Sequence, residues 1–473
     1  MDDEEFRRFA HRLIDFTIDY HKRIRERPVL SDVRPGYIWD LVPGCAPEEG
    51  ESWQKIFQDI EGVVMSGMTH WHSPRFHAYF PTANSYPAIC ADILSGCLGI
   101  IGFTWASCPA ATELEMVMMN WLGKMLNLPK EFLYGSGSIG GGVIQMTASE
   151  STLVALLAAR TKAIGISKKK NKDLKSIGNL VAYCSNQSHS SVERAGLLAD
   201  VEMRALETDE NLSLRGDVLK KAIMEDRGKN KYPFYVVATL GTTNSCAFDN
   251  LLEIGKVCKE ENVWLHVDAA YAGAAFICSE FQHYLQGIEF ADSFNMNPHK
   301  WLLVNFDCSA MWVKNKHELT DAFNVNPTYL QHKDEGAIPD FRHWHIHLGR
   351  RFRSLKMWFV FRTYGIKGLQ EFIRKHVRLA HKFEELLLRD GRFEISTPVV
   401  MGLVCFRLKG SNSINENLLK TINERRIIHL TPTKIKGKYI LRFAICSRQT
   451  NEDDVIFSWK EIQTVATKLL TNA

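Results

Sequence analysis

The sequence predicts an α/β protein with a large, mainly parallel-sheet domain and a small α+β domain near the C-terminus. From about residue 110, apolar runs rich in β-branched and aromatic residues alternate with helical segments. Such runs are typical of strands buried on both faces of a parallel sheet. Beyond about residue 375, RFEISTPVVMGLVCFRLKG and KYILRFAICS are β-like, and helical stretches flank them. We therefore expect three parts, at residues 1–85, 86–375 and 376–473.

The first part opens with an amphipathic helix within residues 1–27. Apolar side chains recur there at steps of three and four, with charged residues between them, at Phe6, Phe9, Leu13, Phe16, Tyr20 and Ile24. No core of its own accompanies this helix, so we expect its apolar face to dock on the main domain or on a second subunit. Residues 34–51 have the composition of an irregular connector.

The segment YPAICADILSGCLGIIGFTW, residues 86–105, is the most membrane-like part of the chain. Pro87, Asp92 and three glycines interrupt it, which predicts a buried core segment instead of a membrane span.

The large domain alternates predicted helices and strands. TELEMVMMNWLGKML and SESTLVALLAARTKAIG have helical periodicity, and KKKNKDLK after them is expected to be a solvated surface loop. NLVAYCS, YPFYVVATL, VWLHVDAA and CSAMWV are expected to be buried parallel strands. The apolar run WLLVNFD, residues 301–307, is also expected to be a buried strand, with Lys300 at its mouth.

Composition excludes several classes of protein. The 473 residues carry a net charge of only +4, which argues against a nucleic-acid binder. The acidic start MDDEEFRRF does not resemble a secretory signal or a transit peptide. Eleven cysteines without CxxC pairs indicate reduced thiols, and hence a cytoplasmic protein.

A glycine-rich turn, GSGSIGGG, satisfies G-x-G-x-x-G at Gly135, Gly137 and Gly140. The dinucleotide reading also needs a preceding strand and an acidic residue about 20 positions later, and neither is predicted here. A helix is expected to begin after MTASES, with Thr147, Ser149 and Glu150 as capping residues. Small and hydroxyl residues at a helix start also suit a phosphate, so capping and phosphate binding both remain open.

Three further residues lie at or near predicted strand ends. Asp268 ends an apolar strand, where an ionised carboxylate requires a cationic partner. That partner is either the neighbouring His266 or a ligand with a protonated ring nitrogen. His189 follows another strand, and Lys300 lies in NPHKW. A phosphate site, a histidine, an aspartate and a lysine together suit an aldehyde cofactor with a pyridine ring and a phosphate.

The segments NPHKWLLVNFDCSAMWV, WLHVDAAYAG, HSSVERAGL and GRRFRSLKMWFVFR resemble the group II pyridoxal-phosphate-dependent amino acid decarboxylases of the aromatic-L-amino-acid (DOPA) type. The resemblance covers nearly the whole chain. It implies a fold type I enzyme that is a homodimer with shared active sites and uses pyridoxal 5'-phosphate to convert aromatic L-amino acids into arylalkylamines and carbon dioxide.

The resemblance also implies a role for individual residues. Lys300 binds the cofactor aldehyde, Asp268 pairs with the ring nitrogen, His189 stacks on the ring and Thr243 lies beside it. The remaining assignments are the phosphate cradle at Ala148, Ser149, Asn297 and His299, the loop catalyst Tyr329, the substrate pocket at Trp71, Tyr79, Phe80, Thr82, Ile101 and Phe103, and the small-domain Arg442.

Some positions depart from the family pattern and bear on substrate preference. Met296, Met146 and Asn186 replace residues common in the family, and His345 and His347 stand where glutamine and proline are typical. The H-x-H spacing suggests a metal site, but we interpret both histidines as surface or pocket-rim residues and expect no metal.

Three other functions remain open. The first is an aromatic acetaldehyde synthase, disfavoured because His189 and Tyr329 are both retained. The second is a decarboxylase for histidine or a small acidic amino acid. Its histidine-specific form is disfavoured because Gly349 stands where such relatives carry serine. The third is a catalytically inactive binding protein, which the intact Lys300, Asp268 and His189 disfavour.

Overall fold

The computed structural model describes residues 1–169, 179–333, 336 and 338–471. Within them the chain forms two compact units, one of Pro81–Val377 and one of Met1–Phe80 with Arg378–Ala473. None of the described helices is long and apolar enough to cross a membrane. The loop predicted at residues 168–175 lies, from residue 170 onward, outside the described residues. The division into three domains stays a prediction.

The unit Pro81–Val377 is built on a seven-stranded sheet of order β1-β7-β6-β5-β4-β2-β3. The strands are β1 (Gly141–Gln145), β2 (Leu180–Ser185), β3 (Glu202–Leu206), β4 (Tyr232–Thr239), β5 (Trp264–Asp268), β6 (Ser293–Met296) and β7 (Ser309–Val313). The helices are α3 (Tyr86–Leu98), α4 (Pro109–Met125), α5 (Ala148–Lys169), α6 (Ser190–Ala199), α7 (Gly216–Gly228), α8 (Leu251–Glu261), α9 (Pro298–Trp301) and α10 (Lys316–Phe323). The predicted α/β class is confirmed.

Two predictions about this sheet are wrong. β7 pairs antiparallel with both β1 and β6, whereas it was expected to be parallel. Residues 302–307 form no regular strand, since Lys300 and Trp301 end a short helix and the next strand begins only at Ser309. An apolar run is expected in any buried segment, so its composition alone does not distinguish a strand from a buried turn.

The second unit contains a four-stranded antiparallel sheet of order β10-β11-β9-β8. Its elements are α1 (Asp3–Lys22), α2 (Trp53–Asp59), β8 (Phe393–Ile395), β9 (Leu403–Leu408), α12 (Asn412–Glu424), β10 (Thr431–Ile435), β11 (Lys438–Ala444) and α13 (Glu452–Thr471). α11 (Arg353–Leu388) contributes residues to both units and is interrupted by a non-helical Gly365. In this unit's core Phe383 stacks on Phe443, and Trp459 meets Phe383 edge-on.

The predicted N-terminal helix is confirmed as α1. Part of its apolar face packs on α2, where Phe9 stacks on Trp53 at 5.4 Å between ring centroids and Phe16 meets Phe57 edge-on. Phe6, Leu13 and Ile14 stay exposed.

The segment at residues 86–105 was expected to be core, and this prediction is wrong for the single chain. Its first part is α3, on which Ile93, Leu94 and Leu98 are exposed, and Ile101 beyond the helix is 58% exposed. Apolar composition does not distinguish a buried core from a surface that another chain covers.

Candidate active site

The sheet topology brings six strand ends to one edge. β2, β3, β4, β5 and β6 run parallel, and β1 has the same direction because both β1 and β6 are antiparallel to β7. Ligands of open α/β sheets bind at the carboxyl ends of such strands. The predicted cofactor residues all lie at or shortly after these ends: Ala148 and Ser149 after β1, His189 after β2, Thr243 after β4, Asp268 on β5, and Asn297, His299 and Lys300 after β6.

Asp268 is only 4% exposed, and protein groups donate to one of its carboxylate oxygens. Its Oδ1 accepts hydrogen bonds from the backbone N–H of Ala270 at 3.0 Å and from the side-chain amide of Asn295 at 3.4 Å. A buried carboxylate with few donors stays charged most readily when a cation is near.

His266 does not contact that carboxylate directly. Burial lowers the pKa of His266 to about 4, so its imidazole is neutral. One ring nitrogen, Nε2, lies 2.9 Å from Oδ1 of Asn295, and the other, Nδ1, lies 2.8 Å from the hydroxyl of Ser293. The interpretation of His266 as the cationic partner of Asp268 is therefore wrong.

These contacts form one directed chain of hydrogen bonds. The indole N–H of Trp264 donates to the Ser293 hydroxyl at 2.9 Å, and that hydroxyl donates to His266. His266 then donates to Asn295, whose amide donates to Asp268. Sequence reasoning missed Ser293 and Asn295, because only the pairing of β5 with β6 places them opposite His266 and Asp268.

Lys300 lies in α9, four residues beyond β6, and is partly buried. Its neighbour His299 is buried, and His299 Nδ1 accepts a hydrogen bond from the Cys308 N–H at 2.7 Å. Burial, together with the charge of Lys300, lowers the pKa of His299 to about 3. His299 is therefore a neutral ring held next to a cation.

Asn297, immediately after β6, is 2% exposed, and its Oδ1 accepts no hydrogen bond from the described residues. Buried polar atoms are almost always hydrogen-bonded, so this atom indicates a bound group. The position suits a polar ligand at the edge of the sheet, in agreement with the predicted phosphate cradle.

His189 caps the N-terminus of α6. Its Nδ1 accepts from the Ser191 N–H at 3.1 Å and lies 2.8 Å from the Ser191 hydroxyl. Burial first, and then the positive charge of Lys300, lower the pKa of His189, while the charge of Asp268 opposes the shift. The charges of Lys300 and Asp268 therefore both act on the His189 ring.

The helix after the glycine-rich turn begins at Ala148, earlier than expected, and β1 precedes it. Thr147 Oγ1 accepts from the Glu150 N–H at 3.3 Å, and Glu150 Oε2 accepts from the Met146 N–H at 2.8 Å. These two residues supply the cap, whereas the Ser149 side chain is exposed within the first turn. The first-turn N–H groups and the Ser149 hydroxyl suit a phosphate.

The predicted substrate residues fall into two groups. In the unit with the N-terminus, the rings of Trp71 and Tyr79 stack at 5.1 Å. Arg442 there donates to the Tyr79 carbonyl at 3.0 Å, and its guanidinium lies 5.1 Å from the Phe80 ring.

The second group lies in the unit Pro81–Val377. Thr82 is partly buried beside Ala83, whose N–H donates to the His299 carbonyl at 2.7 Å. Ile101 and Phe103 lie against the segment before α11, where a Cβ added to Gly349 would lie 3.7 Å from Ile101 Cγ2.

Tyr329 is not packed in the site. It lies in a short 3₁₀ turn and is 82% exposed. Asp334, Glu335 and Ala337 of the predicted mobile loop lie outside the described residues.

Among the departures from the family pattern, His345 was misjudged. It is 2% exposed, so its interpretation as a surface or pocket-rim residue is wrong, while His347 is partly exposed. Met296 is fully buried on β6 against Gly273, where an added Cβ would lie 2.5 Å from Met296 Cβ. Asn186 is exposed, and its amide donates to Glu207 at 2.8 Å.

Comparison with known proteins was made on the whole chain. The pyridoxal-dependent decarboxylase conserved domain matches residues 35–409. The chain is 58% identical to aromatic-L-amino-acid decarboxylase of Rattus norvegicus, over 99% of each chain. Among solved structures it is similar to Oryza sativa TDC with PLP and tryptamine, with a TM-score of 0.96 and 37% identity over 99% of each chain. It is also similar to Rhodiola rosea 4-hydroxyphenylacetaldehyde synthase, with a TM-score of 0.92 and 38% identity over 99% of each chain.

The buried neutral histidines predict loss of stability in acid. The folded-state pKa values of His266 and His299, about 4 and about 3, lie below the ordinary value of 6.5. The unfolded chain therefore binds more protons below pH 6.5, and stability should fall as the pH drops from there toward 4. When the pH is lowered from about 7.5 to about 5, we expect the melting temperature of His266→Gln to fall less than that of wild type.

The measurement is thermal unfolding followed by circular dichroism at both pH values. His317→Gln changes an exposed histidine and serves as the control, which should keep the wild-type pH dependence. An equal loss in wild type and His266→Gln would contradict the assignment of a neutral buried His266.

Proposed function

This chain belongs to the pyridoxal-dependent decarboxylase family, and on that premise we propose that it decarboxylates aromatic L-amino acids to arylalkylamines and carbon dioxide. The enzyme class is a carboxy-lyase with pyridoxal 5'-phosphate as its cofactor. The observation that carries the proposal is the position of Asp268, Lys300 and His189 at the carboxyl ends of β5, β6 and β2, on one edge of the sheet.

The residues at that edge fit the cofactor. When bound, pyridoxal 5'-phosphate supplies an electron sink for the electrons released from the bond between Cα and the carboxylate. We assign Lys300 to the covalent attachment of its aldehyde. The phosphate would be held by Ala148, Ser149, Asn297 and His299, and Thr243 would contact the ring substituents.

Asp268 has an electrostatic role in this proposal. Its carboxylate provides the negative charge that keeps a pyridine nitrogen protonated, and a protonated ring withdraws electrons more strongly. The hydrogen-bond chain from Trp264 to Asn295 holds the carboxylate in one orientation. Little reorganisation is then needed as charge develops during the reaction.

Two residues are placed to move protons. Desolvation by the surrounding protein and the charge of Lys300 lower the pKa of His189, which favours an uncharged ring for stacking. Its Nδ1 accepts from the Ser191 N–H, so the proton of the neutral ring would lie on Nε2. Tyr329 would donate its phenolic proton to Cα of the product when its loop closes over the site.

Aromatic and apolar side chains support an aromatic substrate. We propose that the substrate is contacted by Trp71, Tyr79, Phe80, Thr82, Ile101 and Phe103, part of them from a second copy of the chain. Gly349 lies beside Ile101, where an added Cβ would be 3.7 Å from Ile101 Cγ2.

An oxygen-dependent aldehyde synthase is the second candidate, since a structure of that activity from Rhodiola rosea matches the fold at 38% identity. The retained His189 and Tyr329 favour the amine-forming reaction.

The function is tested by product analysis. Purified protein is incubated with L-DOPA, 5-hydroxytryptophan, tyrosine, tryptophan, phenylalanine and histidine, and amine, carbon dioxide, ammonia and peroxide are measured together. We expect equal amounts of amine and carbon dioxide from at least one aromatic substrate, and a loss of several orders of magnitude in Lys300→Ala. Lys229→Ala, at an exposed lysine, should keep full activity. Multiple turnovers by Lys300→Ala, or histidine as the preferred substrate, would contradict the proposal.

Tyr329→Phe distinguishes the two chemistries. Phenylalanine keeps the ring and removes the proton, so amine formation should fall by roughly 100-fold or more. Cα would then stay unprotonated after carbon dioxide leaves. Oxygen would take up the two electrons and become peroxide, and water would release aldehyde and ammonia, in air but not under nitrogen.

Tyr284→Phe, at a tyrosine stacked on Phe248, is the matched control and should leave the product ratio unchanged. If Tyr329→Phe forms amine at the wild-type rate, Tyr329 is not the proton donor, and His189 would be assigned that role.

We also propose that the enzyme is a homodimer located in the cytoplasm. The exposed apolar side chains of α3 (Ile93, Leu94 and Leu98) suit a surface covered by a second copy. The eleven cysteines show no CxxC pairs, which suits a reducing compartment.

The dimer is tested at Leu98, which is 52% exposed on α3. Leu98→Glu places a charge in the proposed interface and should shift sedimentation from dimer to monomer, with loss of activity. Met224→Glu, on α7, changes an equally exposed apolar residue and should remain dimeric. A fully active wild-type monomer would contradict the homodimer.

A further inference from the structure

Three potential metal ligands converge outside the residues assigned to the cofactor. Glu150 in the first turn of α5 meets His345 and His347 of the segment that precedes α11, and their ligand atoms all lie within 4.8 Å of one another. His347 Nδ1 lies 3.1 Å from Glu150 Oε1. The rings of His345 and His347 are 4.2 Å apart at their centroids.

His345 provides an independent indication that a ligand belongs here. The residue is 98% buried, yet neither Nδ1 nor Nε2 has a hydrogen-bond partner among the described residues. A neutral imidazole carries one donor and one acceptor, and a buried ring normally satisfies both. A metal ion bound to one nitrogen would satisfy the lone pair that the protein leaves unused.

The charges around the cluster suit a cation. The nearby Arg350 and Arg353 are already paired, with Glu115 at 2.6 Å and with Asp307 at 2.9 Å. Their charge is therefore compensated, while Glu150 supplies a carboxylate to the cluster.

We propose that Glu150, His345 and His347 bind a divalent transition-metal ion, and that Zn²⁺ is the ion that fits best. Two imidazole nitrogens and one carboxylate oxygen are a known zinc ligand set, with a fourth position open to water. Ca²⁺ and Mg²⁺ prefer oxygen ligands and fit less well. Tetrahedral zinc places its ligand atoms roughly 3.3 Å apart. The three ligand atoms, now within 4.8 Å of one another, would move closer together on binding.

The carboxylate is already oriented for this role. Glu150 Oε2 accepts from the Met146 N–H at 2.8 Å, which leaves Oε1 directed toward His347. Hydrogen bonds of this kind to a ligating group raise metal affinity.

A bound ion would connect the first turn of α5 to the segment before α11. Ala148 and Ser149, the proposed phosphate cradle, lie in the same turn as Glu150. We therefore expect Zn²⁺ to stabilise the start of this helix. The site stands independently of the proposed decarboxylase activity, since none of its ligands is assigned to the reaction.

The test is metal binding by the holoenzyme after chelator treatment. Bound Zn²⁺ is measured by equilibrium dialysis with elemental analysis, and bound Co²⁺ by the visible absorption of a tetrahedral cobalt site. We expect one ion per chain, and at least about tenfold weaker binding in Glu150→Gln, His345→Gln and His347→Gln. His343→Gln, a histidine of the same segment outside the cluster, is the matched control and should bind like wild type.

A second readout is the melting temperature with and without Zn²⁺. The ion should raise it in wild type and His343→Gln, but not in the three ligand variants. If His345→Gln does not fold, Zn²⁺ binding is compared in His347→Gln, at a partly exposed position, and in the conservative variant Glu150→Gln. No uptake of Zn²⁺ or Co²⁺ by wild type, or equal uptake by wild type and the foldable ligand variants, overturns the proposal.

Discussion

The buried carboxylate of Asp268 is the group on which the site depends. It is held by one backbone N–H and by Asn295, and Asn295 is held in turn by His266. This arrangement requires the register of β5 against β6, which sets His266 opposite Ser293 and Asp268 opposite Asn295. A shift of one residue would turn every side chain of the strand to the other face of the sheet. The hydrogen bonds of this polar network form only in the observed register, so they also favour that register over others.

The reversed strand β7 has a consequence for the site. By pairing antiparallel with both β1 and β6, it gives these two strands the same direction, so the start of α5 and Lys300 share one edge. A buried ion pair secures this end of the sheet. Glu115 accepts from the Ile144 N–H, and Arg350 donates both to Glu115 and to the Ile144 carbonyl. The pair connects β1 to the segment that carries His345, His347 and Gly349. Removal of either partner would leave a buried, unpaired charge and should destabilise this connection.

Local patterns predicted much of the fold. α1, α4 and α5 follow from their apolar periodicity, and β2, β4 and β5 follow from short runs rich in β-branched and aromatic residues. The same rules missed β1, β3, β6 and β10, which are short and of mixed composition. They also placed a strand at residues 301–307, since burial alone produces an apolar run. For residues 86–105, the sequence predicted burial but contained no sign that a single chain leaves α3 exposed.

The sequence by itself determined which kinds of residue the site contains, because Asp268, His189, Lys300 and the small residues near Ser149 stand in segments long enough to indicate a family. Tertiary structure alone decided which of these residues lie near one another, and which of the nearby histidines are neutral. His266 is neutral because burial penalises its charged form, and that burial arises from strands far apart in the chain. His345 looked like a surface residue for the same reason: the spacing H-x-H is local, whereas its burial beside Glu150 depends on how the segment before α11 packs against the start of α5.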